Sequence, residues 1–67
     1  MWLKGGMEMK TYFIRGYKNG SYYGGWFWAT CATKALEEYH KEWENTCNIE
    51  VYEERGEKLV YLFRMDF

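Results

Sequence analysis

Asn19-Gly20 stands between two β-rich runs that extend from Lys10 to Ala29. Both residues accept the positive φ of a type I′ turn, and a two-residue loop leaves the flanking strands one register. Lys18 then faces Ser21, Tyr17 faces Tyr22, Arg15 faces Gly24, Phe13 faces Trp26, Tyr12 faces Phe27 and Thr11 faces Trp28. Side chains alternate across a strand, so this register sorts the hairpin into two faces. One holds Tyr12, Ile14, Gly16, Tyr23, Gly25, Phe27 and Ala29; it has no charge along its middle and is expected to face the core. The other holds Thr11, Phe13, Arg15, Tyr17, Tyr22, Gly24, Trp26 and Trp28.

Between Thr30 and Thr46 the residues Ala32, Ala35, Leu36, Tyr39 and Trp43 recur at the spacing of an amphipathic helix, with Thr30 or Thr33 placed to cap its start. Lys34, Glu37, Glu38, Lys41, Glu42 and Glu44 form its solvent face. A second hairpin follows, with its turn near Glu54-Arg55-Gly56. A two-residue loop at Arg55-Gly56 opposes Glu54 with Glu57, whereas a three-residue loop with Gly56 left-handed opposes Val51 with Leu59 and Ile49 with Tyr61. The second choice segregates the faces. It sends Ile49, Val51, Leu59, Tyr61, Phe63 and Met65 to the core and Glu50, Tyr52, Lys58, Val60, Leu62 and Arg64 outward.

The expected fold class is therefore α+β: a two-layer sandwich of order ββαββ, with a four-stranded antiparallel sheet built from two hairpins and one helix on one face. The spatial orders 2-1-3-4 and 1-2-4-3 both make every neighbouring pair antiparallel. A chain of 67 residues buries only roughly 60% of its unfolded surface, so one such domain is expected, over residues 9–67, with a thin stability margin. Met1 to Glu8 lack periodicity, carry Gly5-Gly6 and read as a disordered extension. Lys4-Gly5-Gly6 can be encoded by a purine-rich stretch like a bacterial ribosome-binding site ahead of Met9, which points to a bacterial or phage gene.

One helix covers one face of a four-stranded sheet. The other face is expected to expose Phe13, Arg15, Tyr17, Tyr22, Trp26, Trp28, Tyr52 and Leu62, with Val60 and Arg64 beside them. Apolar patches of that size mark interfaces, and Trp, Tyr and Arg are enriched at binding hot spots. Two occupants follow: a second copy of the chain, face to face, or an unidentified protein. Stacking of single-stranded nucleic acid on the same rings is the alternative from another class, and a net charge of -1 argues against it. A bulge near Gly24-Gly25 would instead turn the tryptophans into the core.

Charge is uneven along the chain. Residues 37–57 hold eight glutamates against Lys41 and Arg55, a balance of -6, whereas residues 1–36 sum to +4. Glu37, Glu38, Glu42 and Glu44 form an acidic helix surface suited to a basic partner, as in a small regulator or inhibitor. Catalysis is not expected: His40 is the lone histidine, Cys31 and Cys47 have no triad partners, and Gly24-Gly25 lies inside a strand without a phosphate-loop ending. No metal or other cofactor is expected, because one histidine and two separated cysteines do not make a ligand set. A four-turn helix places the two sulfurs roughly 20 Å apart, beyond the reach of a disulfide. Free thiols and the lack of an apolar run of about 18 residues lead to the expectation of a cytoplasmic chain that spans no membrane.

Overall fold

The structure is a computed structural model and describes residues 8–65. The extension expected over residues 1–8 lies outside the described residues except for Glu8, which is exposed. Five elements follow in order: β1 (Lys10–Lys18), β2 (Ser21–Ala29), α1 (Ala32–Glu42), β3 (Cys47–Arg55) and β4 (Lys58–Met65). The strands form one antiparallel sheet, β2-β1-β3-β4, with α1 laid against β2, β1 and β3. This is the α+β arrangement expected, in the first of the two admissible orders. It puts at the centre β1 and β3, whose covered faces carry the buried Tyr12, Ile14, Ile49 and Val51.

The first hairpin has the expected register over its full length, from Lys18↔Ser21 to Lys10↔Ala29. Asn19 and Gly20 adopt φ of 52° and 85°, the two positive values that a type I′ turn requires. Gly24-Gly25 introduces no bulge, so Trp26 and Trp28 stay on the face away from the helix and the alternative of a tryptophan core falls.

The second hairpin departs from both loops considered. Its turn is Gly56-Glu57, pairing Arg55 with Lys58, Glu54 with Leu59 and Tyr52 with Tyr61. Gly56 is left-handed as expected, at φ 64°, but it is the first residue of a two-residue turn. The ladder then shifts, and Val51 pairs with Phe63, leaving Leu62 as the extra residue of a bulge. Leu62 and Phe63 consequently both pack against the core. Four apolar residues change face for this reason. Leu62 and Val60 belong to the covered side, whereas Leu59 and Tyr61 stand exposed on the open side.

A second irregularity joins the hairpins. Between Arg15↔Glu50 and Tyr17↔Cys47 the pair Asn48-Ile49 opposes the single residue Gly16. Asn48 takes φ 50°, in the left-handed region that Asn tolerates better than most residues. Gly16 is required here: a Cβ on it would run into Tyr39 Oη and come within 2.8 Å of Thr46 Cβ.

The helix is shorter than its sequence pattern. Cys31 is its N-cap and no side chain caps it, so neither Thr30 nor Thr33 serves. It ends at Trp43, whose extended backbone lets the indole tilt over Tyr23 at 5.4 Å between ring centroids. Ala35 and Tyr39 are its buried residues, and the Tyr39 hydroxyl donates to the Tyr23 carbonyl at 3.0 Å while sharing a 3.0 Å hydrogen bond with Thr46 Oγ1. This one phenol ties the helix to β2 and to the entry of β3.

Candidate protein-binding face

Four rings, one from each strand, cross the open side of the sheet in a single row. Cross-strand pairing aligns Trp26 of β2 with Phe13 of β1, Phe13 with Tyr52 of β3, and Tyr52 with Tyr61 of β4. Their centroids lie 5.2, 6.2 and 5.6 Å apart, each pair tilted or edge-on, within the range where rings attract through their quadrupoles. The row nevertheless faces solvent: Trp26 is 55% and Tyr61 53% exposed. Toward the Asn19-Gly20 turn, Tyr17 and Tyr22 form a further edge-on pair at 5.4 Å, and Trp28 stands 72% exposed at the other end of β2.

Beside the aromatic row runs a charged one, Arg15–Glu50–Arg64, set by the next step of the same register. Arg15 Nε donates to Glu50 Oε1 at 2.9 Å, and the Tyr52 hydroxyl donates to the same oxygen at 3.1 Å. The Arg15 hydrogen bond is the main reason the Glu50 carboxyl is held below the usual carboxylate range, with Tyr52 adding to it. Partial burial, followed by the hydrogen bond to Glu50, pushes the Tyr52 phenol up. The Arg15 guanidinium carbon also lies 4.5 Å from the Tyr22 ring centroid, a cation–π contact. Gly24 makes that reach possible. It faces Arg15 with no side chain, and a Cβ there would collide with the Ile14 carbonyl oxygen of β1.

Of the residues expected on this face, Phe13, Arg15, Tyr17, Tyr22, Trp26, Trp28 and Tyr52 share it, whereas Leu62 packs on the opposite side. Sequence reasoning missed Tyr61, the fourth ring of the row, because the bulge at Leu62 reverses the face of every β4 residue before it. No sequence signal marks that bulge. The charges of the face balance, with Arg15 and Arg64 against Glu50 and Glu54.

The helix surface forms a separate region. Glu37, Glu38, Glu42 and Glu44 remain at or near the surface, and Glu38 pairs with Lys41 at 3.3 Å. At the far end of the covered face, Glu53 takes a 2.9 Å hydrogen bond from Arg55 and lies 3.7 Å from Lys10 Nζ. The Arg55 contact is the main cause that lowers its pKa. Among the described residues Cys31 and Cys47 are free thiols, and no group of three or more His, Cys, Asp or Glu side chains could hold a metal ion. No helix among them is long and apolar enough to cross a membrane.

No protein family, curated protein or solved structure matches this chain.

Proposed function

We propose that this chain is a non-catalytic protein-binding module that pairs face to face with a second copy through its open sheet face. The observation that carries this reading is the exposed row Trp26–Phe13–Tyr52–Tyr61, which spans all four strands. A sheet of four strands of eight or nine residues presents a face of roughly 30 by 19 Å before side-chain relief is counted, the scale of one partner's share in a standard interface. Charge supports a self-complementary occupant. A face with two arginines and two glutamates meets its own image without net repulsion, and one with Arg15 already bound to Glu50 has little left for phosphates. The balance therefore favours protein over single-stranded nucleic acid. In such a pair the helices point outward, which leaves Glu37 and Glu44 available to a basic partner, as a small regulator or inhibitor would use them.

The test is the solution mass of the full chain by size-exclusion chromatography with light scattering. Face-to-face pairing gives at least twice the 8.2 kDa of one chain, and Tyr61→Ala, which removes a ring from β4, halves the mass of the assembly. A wild-type mass that Tyr61→Ala leaves unchanged, in a variant that keeps its circular dichroism, overturns the reading.

A further inference from the structure

The two edges of the sheet are not alike. The β4 edge carries Lys58, Arg64 and the Leu62 bulge, three of the devices that keep edge strands from pairing with other chains. The β2 edge, Ser-Tyr-Tyr-Gly-Gly-Trp-Phe-Trp-Ala, has no charge, no proline and no bulge over nine residues. It also holds the three most exposed aromatic side chains among the described residues, Trp28, Tyr22 (61%) and Trp26.

The turn closes between Lys18 and Ser21, which makes that a hydrogen-bonded pair. The antiparallel alternation then directs the backbone N–H and C=O groups of Tyr22, Gly24, Trp26 and Trp28 away from β1, toward the free edge. On the helix side the edge borders two open grooves of about 910 and 390 Å³ that share Lys41 and Glu42 and together follow β2 from Thr30 to Tyr23. Their helix wall is the stripe Lys34, Glu38, Lys41 and Glu42, two cations and two anions.

We infer that the β2 edge pairs antiparallel with the β2 edge of a second copy, making one continuous eight-stranded sheet. The two-fold axis stands normal to the sheet and passes between the two Gly25 residues. Only this register overlaps the whole strand, and it is self-complementary. Trp26 meets the glycine at 24, which has no side chain to displace it; Trp28 meets Tyr22, and Tyr23 meets Phe27 on the helix side. The balanced helix stripe faces its own image across the seam, again without net repulsion. This pairing is independent of the face-to-face reading. Its axis is perpendicular to any two-fold lying between stacked sheets, and where the two axes intersect the two contacts together close as a tetramer.

Gly25→Lys tests the edge without touching the open face. A Cβ at Gly25 meets nothing within 4 Å, its side chain lies on the helix side, and two such lysines would meet at the axis. The expected result is a halved mass by light scattering, with at least tenfold loss of amide-exchange protection at Tyr22, Gly24, Trp26 and Trp28. Tyr23 and Phe27, bonded to β1, keep theirs and report that the variant is folded. An unchanged mass with Tyr23 and Phe27 protected overturns the inference. If Gly25→Lys does not fold, the wild-type chain decides: free exchange at Tyr22, Gly24, Trp26 and Trp28 overturns edge pairing, and protection there supports it. Tyr61→Ala lies at the opposite edge, so its effect on mass reports the face-to-face contact alone.

Discussion

The two faces of this sheet are made by alternate residues of the same strands, and both are rich in aromatic rings. Tyr12, Ile14, Ile49 and Val51 on one side are buried under α1, whereas on the other Trp26 and Tyr61 are more than half exposed and Phe13 and Tyr52 between them are only partly buried, the four rings covering one another. Residue type does not separate them; the larger side chains are on the exposed side. Coverage does, because an eleven-residue helix is about 16 Å long and the described residues hold one. Apolar character in a short chain therefore reports where surface must be buried and not by whom.

If the two faces differ in this way, damage on the covered side costs stability and damage on the open side costs association. The largest effect is expected at Gly16. Its replacement by alanine drives a methyl into Tyr39 and Thr46 and should lower the unfolding free energy by roughly 3 kcal/mol, read from urea titration at constant chain concentration. Tyr39→Phe comes next. It strips the Tyr23 carbonyl and Thr46 of their shared partner and should cost about 1–2 kcal/mol by the same titration. Gly20→Ala, strained at φ 85° in the first turn, should cost about 1 kcal/mol while leaving the mass of the assembly unchanged. Trp26→Ala belongs to the other class: helix content by circular dichroism should stay intact while dissociation on dilution moves to at least tenfold higher concentration. Unfolding of Trp26→Ala at low concentration would put that ring with the covered side and erase the distinction between the faces.

The smallest effects are set by pH, and they too divide by face. Glu50 on the open side and Glu53 on the covered side both titrate below the ordinary carboxylate value of 4.5 in the folded chain. The stability they add is present above that value and falls away as pH drops through their folded-state pKa. Tyr39 behaves oppositely, since burial raises its pKa above 10.0 and the folded chain holds the proton more tightly. Stability from it is complete below pH 10 and is lost as pH rises further. Thermal unfolding should thus show a flat maximum between about pH 5 and 10. Tyr39→Phe should remove part of the alkaline fall, leaving the shares of Tyr12 and Tyr52, whose phenols burial also raises.

Much of the open face is legible in the amino-acid sequence. Asn19-Gly20 sets the register of the first hairpin, so Phe13, Arg15, Tyr17, Tyr22, Trp26 and Trp28 can be placed together from the chain alone. The second hairpin is less legible because its turn has no Asn-Gly and its strands carry apolar residues on both faces. A run such as Leu59-Val60-Tyr61-Leu62-Phe63 satisfies either phase of the alternation, and nothing local chooses between them. Unbroken alternation puts Leu62 on the open face and Tyr61 in the core, the reverse of their positions. The helix start misleads for a similar reason: threonines stand at the right place, but the chain enters α1 through the extended backbone of Cys31 without using them.

By itself the sequence determined the order of elements, the first turn and its register, and the separation of the first hairpin's outward rings from its core face, because each depends on interactions between residues close in the chain. Tertiary structure decided which hairpin strands became neighbours, where the ladders shift at Asn48 and Leu62, and that the rings of four strands align into one row. Those outcomes depend on β1 meeting β3 more than thirty residues away, where the close approach of Gly16 to Tyr39 and Thr46 and the burial of Ile49 and Val51 select the register. No local propensity encodes them.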